Sequence, residues 1–241
     1  MIALLLNSGL GSRMGDETRE HPKCLCPIGE GETILSWQVK LLERFGVTEA
    51  VVTTGHLAET LTDYIRRLDT SVQFRFVHNP RYRETNYIYS MYLARELLKG
   101  DVLSLHGDLV LHPRVMEKLL AAPASSVAVD AALPLPEKDF KAQLSGGRVR
   151  AIGIDRFGGD CVACQPAYKW LEKDFQRWMA EITRFIGLGE ERCYAENAFN
   201  AAWEDIPLHP LDVGGLLCSE IDNQEDRKIV SERFRREVMG A

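Results

Sequence analysis

Ile2–Leu6 is an unbroken apolar run, closed at once by Asn7-Ser8-Gly9. Polar residues do not alternate within it, so both faces of the strand it predicts must be covered, as in the middle of a parallel sheet. Thr33–Phe45 places Ile34, Leu35, Val39, Leu41, Leu42 and Phe45 at helical spacing, and Gly46 supplies the stop. Glu49–Thr54 reads as a second strand, Leu57–Leu68 as an amphipathic helix and Val72–Val77 as a third strand. Asn86–Leu98 reads as helical, and Val102–His106 as a fourth buried strand running into Gly107-Asp108. This alternation predicts an α/β fold, a doubly wound sheet flanked by helices.

The pattern then changes. Ser126–Leu133, Arg148–Ile154 and Cys161–Gln165 read as strands without long helices between them. Tyr168–Ile186 reads as one long helix, Ala195–Trp203 as a short one and Gln224–Val238 as a charged final helix. No repeat, low-complexity run or linker separates the halves. Residues 1–241 are therefore expected to form a single domain, with 126–241 built onto 1–125.

A formal net charge of -6 gives no general attraction for nucleic acid or an anionic membrane, so any phosphate site must be a local basic cluster. The N-terminal apolar run lacks a basic start, and no run approaches the roughly 18 apolar residues of a membrane helix. Cys161-Val-Ala-Cys164 has the spacing of a metal or redox motif, but no second pair accompanies it. It reads as two core thiols, and the chain as a reduced, cytoplasmic protein.

Candidate chemistry begins in the loop after the first strand, Gly9-Leu10-Gly11-Ser12-Arg13, followed by His21-Pro22-Lys23. Glycines there let backbone N–H groups approach an anion. A dinucleotide fingerprint would want a small residue where Met14 stands and an acid at the end of the second strand, which ends Thr53-Thr54. A P-loop would want its Lys in the same tight turn, whereas Lys23 lies twelve residues beyond Gly11. What remains is G-x-G-x-R with a later P-K, a loop able to surround a triphosphate, with Arg13 on the β/γ-phosphates and Lys23 near the α-phosphate. Asp108 sits at the carboxyl end of a buried strand, where α/β sheets bind ligands. Asp222 lies in Glu220-Ile221-Asp222-Asn223, just before a helix, where an N-cap role is equally open. His106, on the strand, reads as a core histidine. No G-x-S-x-G elbow or H-E-x-x-H motif is present.

Gly9-Leu10-Gly11-Ser12-Arg13 with Pro22-Lys23 resembles the signature of the sugar-nucleotide and cytidylyltransferase superfamily. The usual opening there is Leu-Ala-Ala-Gly, and Leu6-Asn7-Ser8-Gly9 departs from it at two residues. The segment from Asn79 to Ala94, with Tyr82 and Asn86-Tyr87-Ile88-Tyr89-Ser90, is similar to the Asn-x-x-Tyr…Asn-x-Ile-Tyr-Ser segment of bacterial phosphocholine cytidylyltransferases. The opening and Leu135-Pro136-Glu137-Lys138-Asp139-Phe140-Lys141-Ala142 look most like the phosphoglutamine cytidylyltransferase branch. The resemblance covers most of the chain and is more specific in its first half.

The resemblance implies a Rossmann-like doubly wound mixed sheet, with an NTP-binding half (1–125) and a smaller acceptor-binding half (126–241). It implies an Mg²⁺-dependent enzyme that moves CMP from CTP to a small amine-bearing phosphate or phosphonate and releases pyrophosphate. Lys23, Arg13, Asp108 and Asp222 are then the catalytic residues. Asp108 and Asp222 hold Mg²⁺, with Glu220 as the fallback ligand. Leu6, Asn7, Ser8, Gly9, Leu10, Gly11, Ser12, Arg13, Lys23, Thr54, Gly55, Asn86, Ser90 and Gly107 meet the nucleotide. Tyr194 and Glu196 meet an ammonium group, Tyr168 and Lys169 flank the acceptor, and Lys141 contacts its phosphate. The implied partners are CTP and the acceptor, with no nucleic acid and no membrane; a homodimer is compatible with this reading. Two other readings stay open: transfer to a sugar or polyol phosphate, and a non-catalytic nucleotide-binding protein.

Overall fold

A computed structural model describes residues 1–15 and 17–240. β1 (Ile2–Asn7) leads through a 3₁₀ turn (Ser12–Met14), α1 (Glu17–Glu20), a second 3₁₀ turn (Lys23–Leu25), β2 (Pro27–Gly29) and β3 (Glu32–Thr33) into α2 (Ile34–Arg44). There follow β4 (Glu49–Thr54), α3 (Ala58–Arg66), β5 (Gln73–His78), α4 (Tyr87–Ala94), β6 (Val102–His106), β7 (Leu109–Leu111) and α5 (Pro113–Ala121). The second half runs β8 (Ser126–Asp130), β9 (Lys141–Ser145), β10 (Arg148–Gly153), β11 (Cys161–Trp170), α6 (Glu172–Gly187), α7 (Ala195–Ala201), β12 (His209–Asp212), β13 (Cys218–Glu220) and α8 (Gln224–Arg233).

The main sheet has the path β10-β9-β11-β6-β1-β4-β5, with β8 on β11 and β12 on β8. β6, β1, β4 and β5 are parallel, and their register brings Asn7, Thr54, His78 and His106 to one edge. β11 runs antiparallel to β6, so the sheet is mixed and both halves of the chain contribute to it. A separate ribbon pairs β13 with β7, Glu220 opposite Leu109, and Ile221 N donates to Asp108 O at 3.0 Å. That ribbon carries Asp222 back to Asp108.

Local chemistry explains most boundaries. Thr33 caps α2 and forms a capping box with Ser36. Gln38 is fully buried in the same helix, and its side-chain amide donates to His106 O and Leu109 O, each at 2.8 Å. Trp37 Nε1 donates to Leu111 O at 2.9 Å. α2 therefore braces the turn that carries Asp108. Two apolar layers sandwich the sheet. Ala3, Leu5, Val52 and Leu103 pack with α2, α5 and α8, while Leu4, Val51 and Val102 pack with α4, α6 and α7.

The single helix expected over Tyr168–Ile186 is instead the end of β11, a break at Leu171, and α6. Tyr168 and Trp170 stack side by side with ring centroids 5.7 Å apart, and Tyr168, Lys169 and Trp170 pair with Ser104, Leu103 and Val102 of β6. Strand pairing to the centre of the sheet overrides a locally helical reading. β9 and α5 were not expected from the pattern, and the final helix passes after Arg233 into a π-helical turn, Phe234–Met239.

Candidate active site

The Lys23 ammonium lies between two carboxylates. Its Nζ donates to Asp108 Oδ2 at 2.6 Å and to Asp222 Oδ1 at 2.5 Å, and Arg13 Nη1 meets Asp222 Oδ2 at 2.7 Å. Four residues from three distant segments thus converge at the carboxyl edge of the parallel strands. Asp222 is not the cap of α8. Asn223 is, accepting from Glu225 N and Asp226 N, while Asp226 Oδ2 accepts from Asp222 N at 2.9 Å. The cap fixes the backbone and leaves the Asp222 carboxylate for the site.

Two glycines permit the close approach of strand ends here. A Cβ on Gly107 would stand 1.9 Å from Asn7 Oδ1 and 2.7 Å from Leu6 O. A Cβ on Gly55 would stand 2.4 Å from Ser8 O.

A cavity of about 410 Å³ opens over this point. Leu6, Ser8, Gly9, Leu10, Asn79, Tyr82 and Asn86 are part of its lining. Arg13, Asp108 and Asp222 line it as well, and so do Tyr87, His106, Phe140 and Tyr194, whose rings adjoin one another, with Glu220 beside His106. An adjoining hollow of about 240 Å³ is bounded by Asn7, Gly11, Lys23 and Gly107, and shares Leu6, Gly9, Leu10, Arg13 and Asp108. Ser12 opens the 3₁₀ turn, and its side chain lies outside the described groups.

Several expected contacts fall elsewhere. Thr54 lies beneath the cavity, its hydroxyl 3.3 Å from His78 Nδ1. Gly55 packs under Ser8 and Tyr82 without lining the space. Ser90 is buried, 2.7 Å from Ser8 Oγ and accepting from Asn79 Nδ2 at 3.0 Å. None of these three lines the cavity; Gly55 and Ser90 pack against Ser8, which does. Tyr82, Asn79 and Phe140 do line the cavity; they stood in the quoted segments, but side-chain direction in a loop leaves no periodic signal.

The acceptor-end expectations change most. Glu196 is buried at 1% exposure and does not line the cavity; it accepts from the Tyr168 hydroxyl at 2.8 Å and from the Tyr87 hydroxyl. Burial, then Glu196, raises both tyrosine pKa values well above normal, so both remain O–H donors. Tyr87 carries the connection forward, with its ring 6.1 Å from Tyr194 and 4.8 Å from His106. Tyr168 is itself buried among Trp170 and Trp178. Lys169 faces the opposite side of β11, where its ammonium donates to Ala122 O. Strand alternation puts it away from Tyr168 and from the cavity. Lys141 is fully buried and donates to Pro136 O at 2.7 Å and Glu137 O at 3.4 Å, so it offers no free ammonium to an acceptor phosphate.

His106 is not an inert core residue. Its Nδ1 lies 3.2 Å from Glu220 Oε1 at the cavity wall. Burial opposes charge on His106, but the hydrogen bond and charge of Glu220 outweigh it and raise its pKa. Burial and the nearby Asp108 push Glu220 up to about 7. Burial likewise opposes charge on Lys23 and Asp108, yet Asp108 and Asp222 hold the Lys23 pKa high, and Lys23 followed by His106 holds Asp108 low.

Two donor sets compete for a metal. His106, Asp108 and Glu220 bring ligand atoms within 4.8 Å of one another. His106 and Glu220 already pair with each other, and burial together with the nearby Asp108 disfavours the charged form of Glu220. Asp108 and Asp222 offer hard carboxylate oxygens; three of the four meet Lys23 or Arg13, and Asp108 Oδ1 is buried with no hydrogen-bond partner among the described residues. That orphan oxygen and the all-oxygen pair fit Mg²⁺ better.

A model of the MobA-like NTP transferase domain matches residues 3–183. The chain belongs to that family. The CMP-5'-(3-aminopropyl)phosphonate synthase of Streptomyces rubellomurinus is 41% identical over 133 residues, covering 55% of this NTP transferase and 21% of that protein. The CTP:phosphoglutamine cytidylyltransferase of Campylobacter jejuni is 27% identical over 128 residues, 51% of this chain and 49% of its own. The choline-phosphate cytidylyltransferase of Streptococcus pneumoniae is 31% identical over 101 residues, 42% of each chain. The NTP transferase thus matches less than half the length of each of these relatives. Its fold is shared with the solved CTP:phosphocholine cytidylyltransferase from Streptococcus pneumoniae, with TM-score 0.79 and 20% identity over 96% of this chain and 98% of that one. It is shared too with the inositol-1-phosphate CTP transferase from T. maritima, with TM-score 0.76 and 19% identity over 98% and 97%. Among the described residues no helix is long and apolar enough to cross a membrane.

Proposed function

We propose that this NTP transferase moves CMP from CTP onto the phosphate or phosphonate oxygen of a small amine-bearing metabolite. The observation that carries the reading is a cavity whose lining joins polar residues of the glycine loop, the Asp108 and Asp222 carboxylates that grip Lys23, and an aromatic and acidic group of Tyr87, Phe140, Tyr194 and Glu220. An acceptor oxygen attacks the α-phosphorus of CTP, the bond to the bridging oxygen breaks, and pyrophosphate leaves. A phosphonate or phosphate anion is already a nucleophile, so no general base is required. Positioning and charge neutralisation supply the rate. Lys23 serves the α-phosphate and Arg13 the leaving phosphates. Asp108 and Asp222 would hold Mg²⁺, which when bound neutralises charge on the phosphates.

Within that group, Tyr87, Phe140 and Tyr194 offer ring surface and Glu220 a carboxyl group, the surroundings a cationic group prefers. The relatives named for aminopropylphosphonate, phosphoglutamine and choline phosphate support an amine-bearing acceptor. Pyrophosphate release measured across four NTPs and a panel of acceptors tests the reading. Turnover confined to CTP and amine-bearing phosphonates or phosphates is expected. Turnover of sugar or polyol phosphates alone would replace it.

A further inference from the structure

Lys141 is a lysine where the sheet would tolerate an aliphatic residue. It opens β9, pairs with Gly153 of β10 and Ala163 of β11, and is fully buried. A buried ammonium normally has a carboxylate partner. This one instead donates to the carbonyls of Pro136 and Glu137, five and four residues back along the chain, and sits 4.2 Å from the centroid of the Phe157 ring. Burial lowers its pKa, against the opposing charges of the nearby Asp139 and Asp155 carboxylates. The cover is one layer thick, because Phe157 is 59% exposed.

What the side chain holds is the segment between β8 and β9. Ala131 to Pro134 and Glu137 to Asp139 are exposed, and residues 131–140 belong to no strand or helix. Its last three residues, Lys138, Asp139 and Phe140, line the cavity. The Phe140 ring meets two other cavity residues edge-on, with its centroid 5.1 Å from that of Tyr194 and 6.3 Å from that of His106. The ammonium therefore fastens the carbonyls just before the residues that form the wall.

We propose that Lys141 is a positioning residue that folds residues 136–140 over the acceptor end of the cavity, through its two carbonyl contacts and the Phe157 ring. The role rests on the acceptor reading above, and it is specific. An alkyl side chain of equal length would fill the same space but release the loop. An arginine would keep the charge and donors. Phe157, being largely exposed, can be removed without emptying the core.

The test compares wild type with Lys141→Met, Lys141→Arg and Phe157→Ala, using full-length protein, CTP and 2-aminoethylphosphonate. Substrate-free amide exchange across residues 131–140 should rise about 10-fold in Lys141→Met and less in Phe157→Ala, with the β1 and β6 amides unchanged. Acceptor KM should rise about 10-fold in Lys141→Met while KM for CTP stays within about 2-fold, and Lys141→Arg should restore part of the loss. Unchanged exchange in 131–140 overturns the proposal. So does equal damage to both KM values, or a normal acceptor KM beside a released loop. If wild type turns over no acceptor of the panel, the functional reading fails by itself, and the exchange measurement still decides whether Lys141 holds the loop.

Discussion

Lys23 and Asp222 lie 199 positions apart, yet the ammonium of one donates to the carboxylate of the other at 2.5 Å. The β7–β13 ribbon makes this possible by returning the chain to the end of β6. Lys23 is thereby held among opposite charges before any nucleotide arrives, which is the preorganisation that phosphoryl chemistry needs.

Lys23→Ala should lower kcat on the order of 100-fold or more, the scale for removing one preorganised electrostatic contact. Steady-state pyrophosphate release measures it, with circular dichroism as the folding control. A folded variant with near wild-type kcat would remove Lys23 from the mechanism.

Divalent dependence should follow from the two carboxylates. Chelation should abolish turnover, added Mg²⁺ should restore it, and Asp222→Asn should shift the Mg²⁺ titration upward, because one hard anionic ligand is lost. Full activity in chelator would remove the metal from the reading.

The parts legible in the sequence were those with strong local periodicity or a fixed chain spacing. β4 and β6 span Glu49–Thr54 and Val102–His106, as the pattern predicts, and β1 covers the Ile2–Leu6 run with Asn7 added. Lys23, Asp108 and Asp222 were named from motif and strand position, and the fold brings them together. The illegible parts depend on tertiary direction. Nothing local tells that Lys169 turns to Ala122 while Tyr168 turns to Glu196, since both follow from β11 pairing with β6. Nothing local tells that the Lys141 ammonium is occupied by its own loop.

Nucleotide choice should favour CTP clearly over ATP and GTP. Leu6, Ser8, Asn79 and Tyr82 line the cavity, and Gly55 packs so closely against Ser8 and Tyr82 that this part of the wall has little room to move back. A site that hydrogen-bonds the cytosine amino group rejects uracil too. Competition assays with all four NTPs check this, and equal turnover of CTP and UTP would show that other residues read the base.

Gln38→Leu should destabilise the protein by about 1–3 kcal/mol, the cost of leaving buried polar groups unpaired, here the carbonyls of His106 and Leu109. Thermal unfolding measures this. The same change should lower kcat, because the loosened turn carries Asp108. A stability loss without a kinetic effect would make α2 a brace for the fold alone.

Glu196→Gln is the sharpest test of the acceptor end. The carboxylate is buried behind Tyr87 and accepts from Tyr87 and Tyr168 together. An amide of the same shape can accept through its oxygen but presents N–H groups to the second hydroxyl, so one tyrosine must turn or lose its bond. Tyr87 lines the cavity, and Tyr168 does not. The expected result is a raised acceptor KM with CTP affinity nearly unchanged. Tyr87→Phe should reproduce much of the effect, and Tyr168→Phe less of it. Glu220 faces the cavity directly, and an ammonium beside it would favour its ionised form; Glu220→Gln, which cannot ionise, should weaken amine-bearing acceptors and spare amine-free phosphonates. If Glu196→Gln damages CTP binding as much as acceptor binding, the tyrosine pair supports the whole site, and the aromatic end is not a separate acceptor pocket.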